Sequence, residues 1–197
     1  MQLHKIKVST TMNVLEDNLK YLKDFKQFNK QLKEDTLSVG DQQNKTTNVK
    51  AYMTHWQMAD KFDSYARLLK LISVEKIPKY DDSYPVQDGR GSKKNIYCND
   101  MWGVVYNKGE ETLKHAHMNM FSFTYYIEAP KNCSPLIFAS PGKLIIQPKT
   151  GDLFIWKGDY EHYVPKQKIN KPRIVIAGNL DYQNKPIAKI ITINIFL

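Results

Sequence analysis

The amino-acid sequence predicts a mainly β domain of the jelly-roll type, in which helices precede the strands. Apolar residues recur with helical spacing in the first half of the chain. From Ile96 onward the sequence is rich in Val, Ile, Phe, Tyr and Thr, interrupted by Gly, Pro and Asn. Many short strands at even spacing are typical of a sandwich or barrel. Since helices come first, the simplest architecture is a jelly roll with N-terminal helices packed against one sheet.

Two helices are predicted in the first half of the chain. In residues 13–37 the apolar side chains are three and four positions apart, which is the spacing of one helix face, and charged residues fill the other positions. Residues 40–47 are polar without periodicity and predict a loop. Residues 53–73 carry a second apolar stripe, which is best explained by a helix that packs on a sheet.

The strands are predicted after a long irregular segment, residues 78–95, which contains Pro85, Gly89 and Gly91. Long loops in compact domains are often functional, and this one is expected to be a lid over a substrate. The predicted strands are 96–106, 113–118, 121–128, 136–138, 143–147, 153–156, 162–165, 173–180 and 189–196. One structural domain is expected, with residues 1–95 as helical support and lid and residues 96–197 as the β core that carries the site.

The charge of the chain permits an acidic partner but does not require one. The formal net charge is +9, from 29 basic and 20 acidic residues. Lysines scattered along the whole chain supply most of the positive charge, which favours a solvated surface over a phosphate-binding patch. No apolar run approaches the roughly 20 residues that span a bilayer. The N-terminus is too charged for a signal peptide, so a cytoplasmic protein without membrane contact is expected.

Cys98 and Cys133 are the two cysteines, and neither has the spacing of a metal-binding or redox motif. Two reduced thiols are therefore expected, as is usual in a cytoplasmic protein. A disulfide between them is the alternative that the sequence leaves open.

Three of the five histidines form the most informative pattern in the chain. His115 and His117 are one residue apart in a predicted strand, so both side chains are expected on the same face. His162, on a later strand, could complete a set of three metal ligands that leaves coordination positions open. Arg173, further along, is the expected partner of a carboxylate, because the guanidinium fork matches carboxylate geometry. The alternative is three structural histidines without a metal.

A resemblance to a known family is carried by three segments, WGVVYNKGEETLKHAHMNMFSFTYYIEAP, IIQPKTGDLFIWKGDYEHYVPKQ and RIVIAGNL. They resemble the core of the iron(II)- and 2-oxoglutarate-dependent oxygenases, in particular the compact prolyl-hydroxylase-like subgroup common in phages and bacteria. The family fold is a double-stranded β-helix, a variant of the jelly roll. The family pattern is His-x-Asp or His-x-Glu, a distal His and then a basic residue. His115, His162 and Arg173 match this pattern.

The resemblance implies a hydroxylase that uses Fe(II) and couples decarboxylation of the cosubstrate 2-oxoglutarate to oxidation of a substrate C–H bond. The residues that it assigns to catalysis are His115, His117, His162 and Arg173, of which the three histidines hold the metal. The residues that it assigns to cosubstrate binding and the adjoining substrate side are Arg173, Tyr126, Tyr106, Thr124 and Asn179. For each tyrosine, packing in the core is the alternative explanation.

The chain departs from the family pattern at His117, where the family has a carboxylate. Three interpretations are open: His117 is a metal ligand, Asp159 or Glu161 supplies the carboxylate instead, or the site has lost catalysis. The alternative functions are a three-histidine cupin-like metal protein or dioxygenase that does not use 2-oxoglutarate, and a catalytically inactive binding module. A protein side chain, a small molecule and a nucleobase are all compatible substrates.

Overall fold

The computed structural model describes residues 4–8, 12–41, 47–77 and 96–182. The predicted lid, residues 78–95, and the predicted strand 189–196 lie outside the described residues. The strands are β1 His4–Val8, β2 Met12–Asn18, β3 Val49–Lys50, β4 Tyr52–Met53, β5 Ile96–Tyr106, β6 Glu111–His115, β7 Phe121–Glu128, β8 Leu136–Ser140, β9 Leu144–Ile146, β10 Asp152–Lys157, β11 Glu161–Val164 and β12 Arg173–Tyr182. The helices are α1 Phe25–Ser38 and α2 Asp63–Lys70, and α2 continues as a π-helical turn at Leu71–Lys76.

The strands form two antiparallel sheets that face each other. The larger sheet has the order β1-β2-β10-β7-β12-β5-β4, and the smaller has the order β3-β6-β11-β8-β9. Side chains from both sheets meet in a shared core, which includes Tyr126 and Val175 from the larger sheet and Phe138 and Val164 from the smaller. The predicted mainly β architecture of the jelly-roll type is therefore confirmed.

The larger sheet separates two cores because its side chains alternate between its faces. Along β12, Ile174 and Ile176 lie in the core beneath the helices, whereas Val175 lies in the core between the sheets. The helix-side core also takes in buried residues of α1 and α2, among them Leu32 and Leu68. The helices therefore cover one face of the larger sheet, as predicted, and leave the other face to the site.

Two contacts fix the helices on this sheet. Asn29 of α1 donates to the carbonyl of Ile127 at 2.9 Å and accepts from the hydroxyl of Tyr125 at 2.8 Å, so α1 is bound to β7. Gly103 of β5 lies under both helices. A Cβ there would come within 2.5 Å of Thr36 and 2.7 Å of the Tyr65 hydroxyl, so only glycine permits this close approach.

The helix predicted over residues 13–37 is wrong in its first part, because residues 12–18 form β2. This strand lies between β1 and β10 and is buried on both faces. Val14 belongs to the core between the sheets and Leu15 to the helix-side core. Because both faces of β2 are buried, its sequence contains adjacent apolar residues, and their spacing resembles that of a helix face. The helix predicted over 53–73 likewise begins only at Asp63.

Most predicted strands are found within a few residues of their predicted ends. The predictions 96–106 and 121–128 agree with β5 and β7 at both ends. The prediction 113–118 is wrong at its end, because β6 stops at His115 and residues 116–120 form a loop. Residues before Ile96 supply β1 to β4, so both halves of the chain build the sheets.

Cys98 and Cys133 are free thiols. Among the described residues, no helix is both long and apolar enough to cross a membrane.

Candidate metal centre and its cavity

The side chains of His115, His117 and His162 converge at one point between the sheets. Their candidate ligand nitrogens all lie within 4.8 Å of one another, and the ring centroids are 4.4 to 5.3 Å apart. His115 and His162 are directly opposite each other on the antiparallel pair β6 and β11. Within the described ranges, this is the one group of three or more histidine, cysteine or acidic side chains that could hold a metal ion.

The rings of His115 and His162 are oriented by their own strands. Nδ1 of His115 lies 2.7 Å from the carbonyl of Leu113, and Nδ1 of His162 lies 2.8 Å from the carbonyl of Tyr160. A carbonyl only accepts, so each Nδ1 must carry the proton in these bonds. Each Nε2 is therefore left with its lone pair available to a metal, which is the arrangement typical of metal-binding histidines.

His117 is placed by its loop. Its backbone N–H donates to the carbonyl of Gly158 at 2.8 Å, and Gly158 donates back to Met120 at 3.2 Å. A Cβ on Gly158 would lie 2.0 Å from the carbonyl oxygen of Asn119, so a larger residue does not fit there. On the other side of the loop, the carboxylate of Asp181 accepts from Asn119 and from the backbone of Met120.

The three imidazoles are held in the neutral form. Burial, together with the charge of His115, lowers the pKa of His162 to about 3 and that of His117 to about 4. Burial also lowers the pKa of His115, although its bond to Leu113 acts in the opposite direction. Metal ligation requires an unprotonated nitrogen, so the cluster is ready for a cation at neutral pH.

Arg173 lies in the same cavity and is almost fully buried, with 1% of its surface exposed. Its guanidinium carbon lies 4.7 Å from the ring centroid of Tyr106 and 5.0 Å from that of Tyr126. Nη2 donates to the Tyr126 hydroxyl at 3.0 Å. Nε and Nη1 are buried and have no hydrogen-bond partner in the described part of the chain. Unpaired buried donors are costly, so the guanidinium is suited to an anionic ligand.

Burial acts to lower the pKa of Arg173, but its neighbours Tyr126 and Tyr106 outweigh burial and the net direction is upward. Burial raises the pKa of Tyr126. The pair therefore remains a charged guanidinium beside a neutral phenol.

The cavity brings most of the sequence-predicted site residues together. Those that line it are His115, His117, His162, Arg173, Tyr106, Thr124 and Asn179. Tyr126 contacts Arg173 directly. The hydroxyl of Tyr106 is bonded to Thr112 at 2.6 Å, so Tyr106 offers Arg173 its ring. Neither Asp159 nor Glu161 belongs to the histidine group, and Glu161 pairs with Lys114 at 3.3 Å.

Some residues of the site carried no recognisable signal in the sequence. Trp102 and Trp156 line the cavity, and their indole nitrogens are buried without a partner among the described residues. Asp181 contacts the loop of His117 from the end of β12. The places of Trp102, Trp156 and Asp181 in the site depend on which strands are neighbours in the sheets. The residue pattern of a single strand does not show this.

No protein-family model and no curated protein matches the sequence. Solved structures match the fold. A prolyl-4-hydroxylase from Pseudomonas putida is 12% identical, with 88% of this chain and 94% of that chain covered and a TM-score of 0.63. A viral collagen prolyl hydroxylase from Paramecium bursaria Chlorella virus-1, in a 2-oxoglutarate complex, is 13% identical, with 85% and 94% covered and a TM-score of 0.62.

HygX from Streptomyces hygroscopicus, with nickel and 2-oxoglutarate bound, is 8% identical, with 87% and 83% covered and a TM-score of 0.64. At these identities the likeness establishes a shared fold. The chain therefore has the fold of the 2-oxoglutarate- and Fe(II)-dependent oxygenases, and the double-stranded β-helix that the resemblance implied is confirmed.

Proposed function

We propose that the protein is an Fe(II)- and 2-oxoglutarate-dependent oxygenase that hydroxylates a substrate C–H bond. The observation that carries this proposal is one cavity with two functional groups. Three neutral imidazoles converge within 4.8 Å of one another, and the same cavity contains a buried guanidinium with two nitrogens that no described residue binds. The fold is that of enzymes with this chemistry, and the residues of the site support the same function independently.

The residues fit the metal. His115, His117 and His162 come from β6, the loop after it and the neighbouring strand β11 of the same sheet, and their ligand nitrogens lie within 4.8 Å of one another. Imidazole is a good ligand for iron, and a set of three leaves positions open for other ligands. The backbone carbonyls of Leu113 and Tyr160 fix the two strand histidines as Nδ1–H tautomers. The rings therefore need no rearrangement before they can bind a cation.

The residues around Arg173 fit a dicarboxylate. We assign Arg173 to the distal carboxylate of 2-oxoglutarate, because its charge is buried and its Nε and Nη1 have no hydrogen-bond partner in the part of the chain that the structure describes. Tyr126 holds Nη2, and the Tyr106 ring covers the guanidinium carbon. Thr124 lies on the cavity wall, where its hydroxyl is available to the cosubstrate.

When bound, Fe(II) and 2-oxoglutarate supply the oxidising chemistry of C–H hydroxylation. The chain's own residues supply position and protection. The three histidines orient the reacting centre, and Arg173 fixes the far end of the cosubstrate. The apolar cavity wall, including Val104, Leu136 and Val164, excludes water around them.

A second function is favoured by His117 itself. Three neutral ligands, without a carboxylate, also suit a metal protein or dioxygenase that does not use 2-oxoglutarate. The two functions differ in a product, because only the first releases succinate from 2-oxoglutarate. Nε and Nη1 of Arg173, which have no partner among residues 4–8, 12–41, 47–77 and 96–182, favour the first function, since the second gives them no ligand.

The cosubstrate can be tested by absorption under anaerobic conditions. We expect Fe(II) followed by 2-oxoglutarate to produce a weak visible metal-to-ligand charge-transfer band. Arg173→Ala should abolish the band at the same cosubstrate concentration while the protein retains iron. Arg67→Ala is the matched control, because Arg67 forms an ion pair with Asp24 on the surface and does not line the cavity. A wild-type protein that binds iron but never gives the band would exclude this use of 2-oxoglutarate.

A further inference from the structure

We propose that the substrate carries a carboxylate group, which binds beside the metal to the side-chain N–H groups of Trp156 and Asn179, in a row of side chains that Ser122 completes. This inference rests on the proposed function, because it assumes a divalent cation at the histidines and 2-oxoglutarate at Arg173. It adds the chemical class of the substrate and the residues that recognise it.

The charge of the cavity is the first reason. Among the described residues that line it, none is Asp or Glu, and Arg173 carries the single fixed charge. A divalent cation adds two positive charges, and the two carboxylates of 2-oxoglutarate cancel two of the three. One positive charge stays unbalanced in a buried site, because His117 is neutral. An uncompensated buried charge is costly, so the loaded cavity favours a ligand with one negative charge.

The second reason is a row of side chains that crosses three neighbouring strands. Ser122 of β7 is directly opposite Trp156 of β10 on one side and Asn179 of β12 on the other. All three line the cavity. The ring centroid of Trp156 is 5.0 Å from that of His162, which places the row at the metal end.

The row presents donors. The Ser122 hydroxyl donates to Oδ1 of Asn179 at 2.9 Å, so the amide oxygen is occupied and the amide nitrogen remains for a ligand. Asn179 is 4% exposed and Trp156 is 2% exposed. Nε1 of Trp156 is buried and unpaired within the described chain. Two neutral N–H groups suit the two oxygens of a carboxylate.

The row is separate from the site of the cosubstrate's distal carboxylate. Arg173 and Asn179 point into the same cavity from one strand, and their backbone positions are about 20 Å apart at the usual rise per residue. A carboxylate in the row therefore does not need to displace the one at Arg173. The cavity offers two positions for anions, one at each end, with the metal next to the second.

The test uses the full chain loaded with Ni(II), which is redox-inert here, and saturated with 2-oxoglutarate. Short carboxylates are titrated beside their matched primary amides, for example butyrate with butyramide and benzoate with benzamide. Binding is measured by calorimetry and by thermal shift. We expect at least one carboxylate to bind ten times or more tightly than its amide. No such preference in any pair, including no binding at all, would overturn the proposal.

Two variants locate the carboxylate. Trp156→Phe should weaken carboxylate binding about tenfold through loss of one charge-assisted hydrogen bond, with Ni(II) and 2-oxoglutarate affinity unchanged. Trp102→Phe is the matched control, since the indole nitrogen of Trp102 also lacks a partner among the described residues but Trp102 lies opposite Ala177, outside the row. An equal loss in both variants, or an effect of the carboxylate that disappears at higher 2-oxoglutarate, would contradict the assigned position.

His117→Asp tests the charge argument directly. The variant adds one fixed negative charge beside the metal and keeps a side chain that can ligate it. We expect Ni(II) to remain bound and the preference of the carboxylate over the amide to fall to less than about threefold. A preference that persists in His117→Asp overturns the charge argument. Failure of the wild-type protein to bind Ni(II) or 2-oxoglutarate would instead reject the proposed function.

Discussion

The carboxylate of Asp181 lies 2.7 Å from the backbone nitrogen of Met120 and thereby ties the end of β12 to the loop that carries His117. Its other oxygen accepts from the side-chain amides of Asn119 and Asn99, each at 2.8 Å. The ring of His117 has no hydrogen-bond partner among the described residues, in contrast to His115 and its bond to Leu113. The ring of His117 is therefore positioned by the backbone of its loop and not by a hydrogen bond between a described residue and the ring itself.

We expect Asp181→Ala to lower the affinity for Co(II) or Ni(II) about tenfold, which is within the usual range for loss of an outer partner of a metal ligand. Isothermal titration on the apoprotein measures the effect. In a His117→Ala background the same substitution should cause no further loss, because there is no third ligand left to position. A similar loss in both backgrounds would assign Asp181 a general structural role.

The identity of the third ligand can be tested by comparing His117 with the neighbouring carboxylates. We expect His117→Ala to lower metal affinity about 100-fold or more, since it removes a direct ligand. Asp159→Asn and Glu161→Gln should each leave it within about twofold, because neither group lies in the histidine cluster. Visible absorption of the Co(II) protein shows whether the coordination changes. A large loss in Glu161→Gln would favour the carboxylate alternative.

Tyr126→Phe should weaken 2-oxoglutarate binding about five- to tenfold, because Nη2 of Arg173 loses its acceptor and the guanidinium loses its orientation. Tyr125→Phe is a matched control from the opposite face of the same strand, where the hydroxyl donates to Asn29. Both variants should lose about 1 kcal/mol of unfolding free energy. Equal cosubstrate affinities in the two variants would show that the Tyr126 hydroxyl has no specific part in binding.

The metal-free protein should lose stability on acidification. The pKa of His162 is lowered from 6.5 to about 3 by burial, so below pH 6.5 the unfolded chain binds a proton that the folded chain does not. Stability is then lost as the pH falls from 6.5 toward 3. At pH 5 the contribution of His162 is about 2 kcal/mol, since each pH unit corresponds to about 1.4 kcal/mol.

Urea unfolding of the chelator-treated protein at pH 7 and pH 5 measures this loss. The His162→Gln variant does not titrate in this range and should lose about 2 kcal/mol less between the two pH values. His117 and His115 contribute to the remaining loss in both proteins, because their pKa values are also lowered. Identical losses in wild type and variant would show that His162 is protonated in the folded state.

The strands and the group of three histidines could be predicted from the sequence because their signals are local. A composition rich in β-branched and aromatic residues located β5 and β7 at both ends, and the pair His115 and His117 needed only proximity along the chain. His117 nevertheless lies past the end of β6, in the loop that follows, although the predicted strand extended to residue 118. The prediction that the three rings meet is confirmed although the reason given for His117, a shared strand face, was wrong.

The remaining features depend on contacts between distant segments. β2 has the sequence spacing of a helix face, and pairing with β10 decides its conformation. The row of Trp156, Ser122 and Asn179 exists only because β10, β7 and β12 are adjacent in a fixed register. A single sequence gives no information on that register. The roles of Trp156 and Asp181 were therefore beyond sequence reasoning.

The position of β2 also determines how the protein can be divided. Because β2 covers the outer side of β10 along residues Asp152 to Trp156, a fragment that began at Ile96 would leave an open row of backbone hydrogen-bonding groups. An exposed, apolar edge strand of this kind pairs with other chains and promotes aggregation. The helical half should therefore not be regarded as a removable accessory. A soluble, monomeric protein is expected only when β1 and β2 are expressed together with the strands of the sheet that they complete.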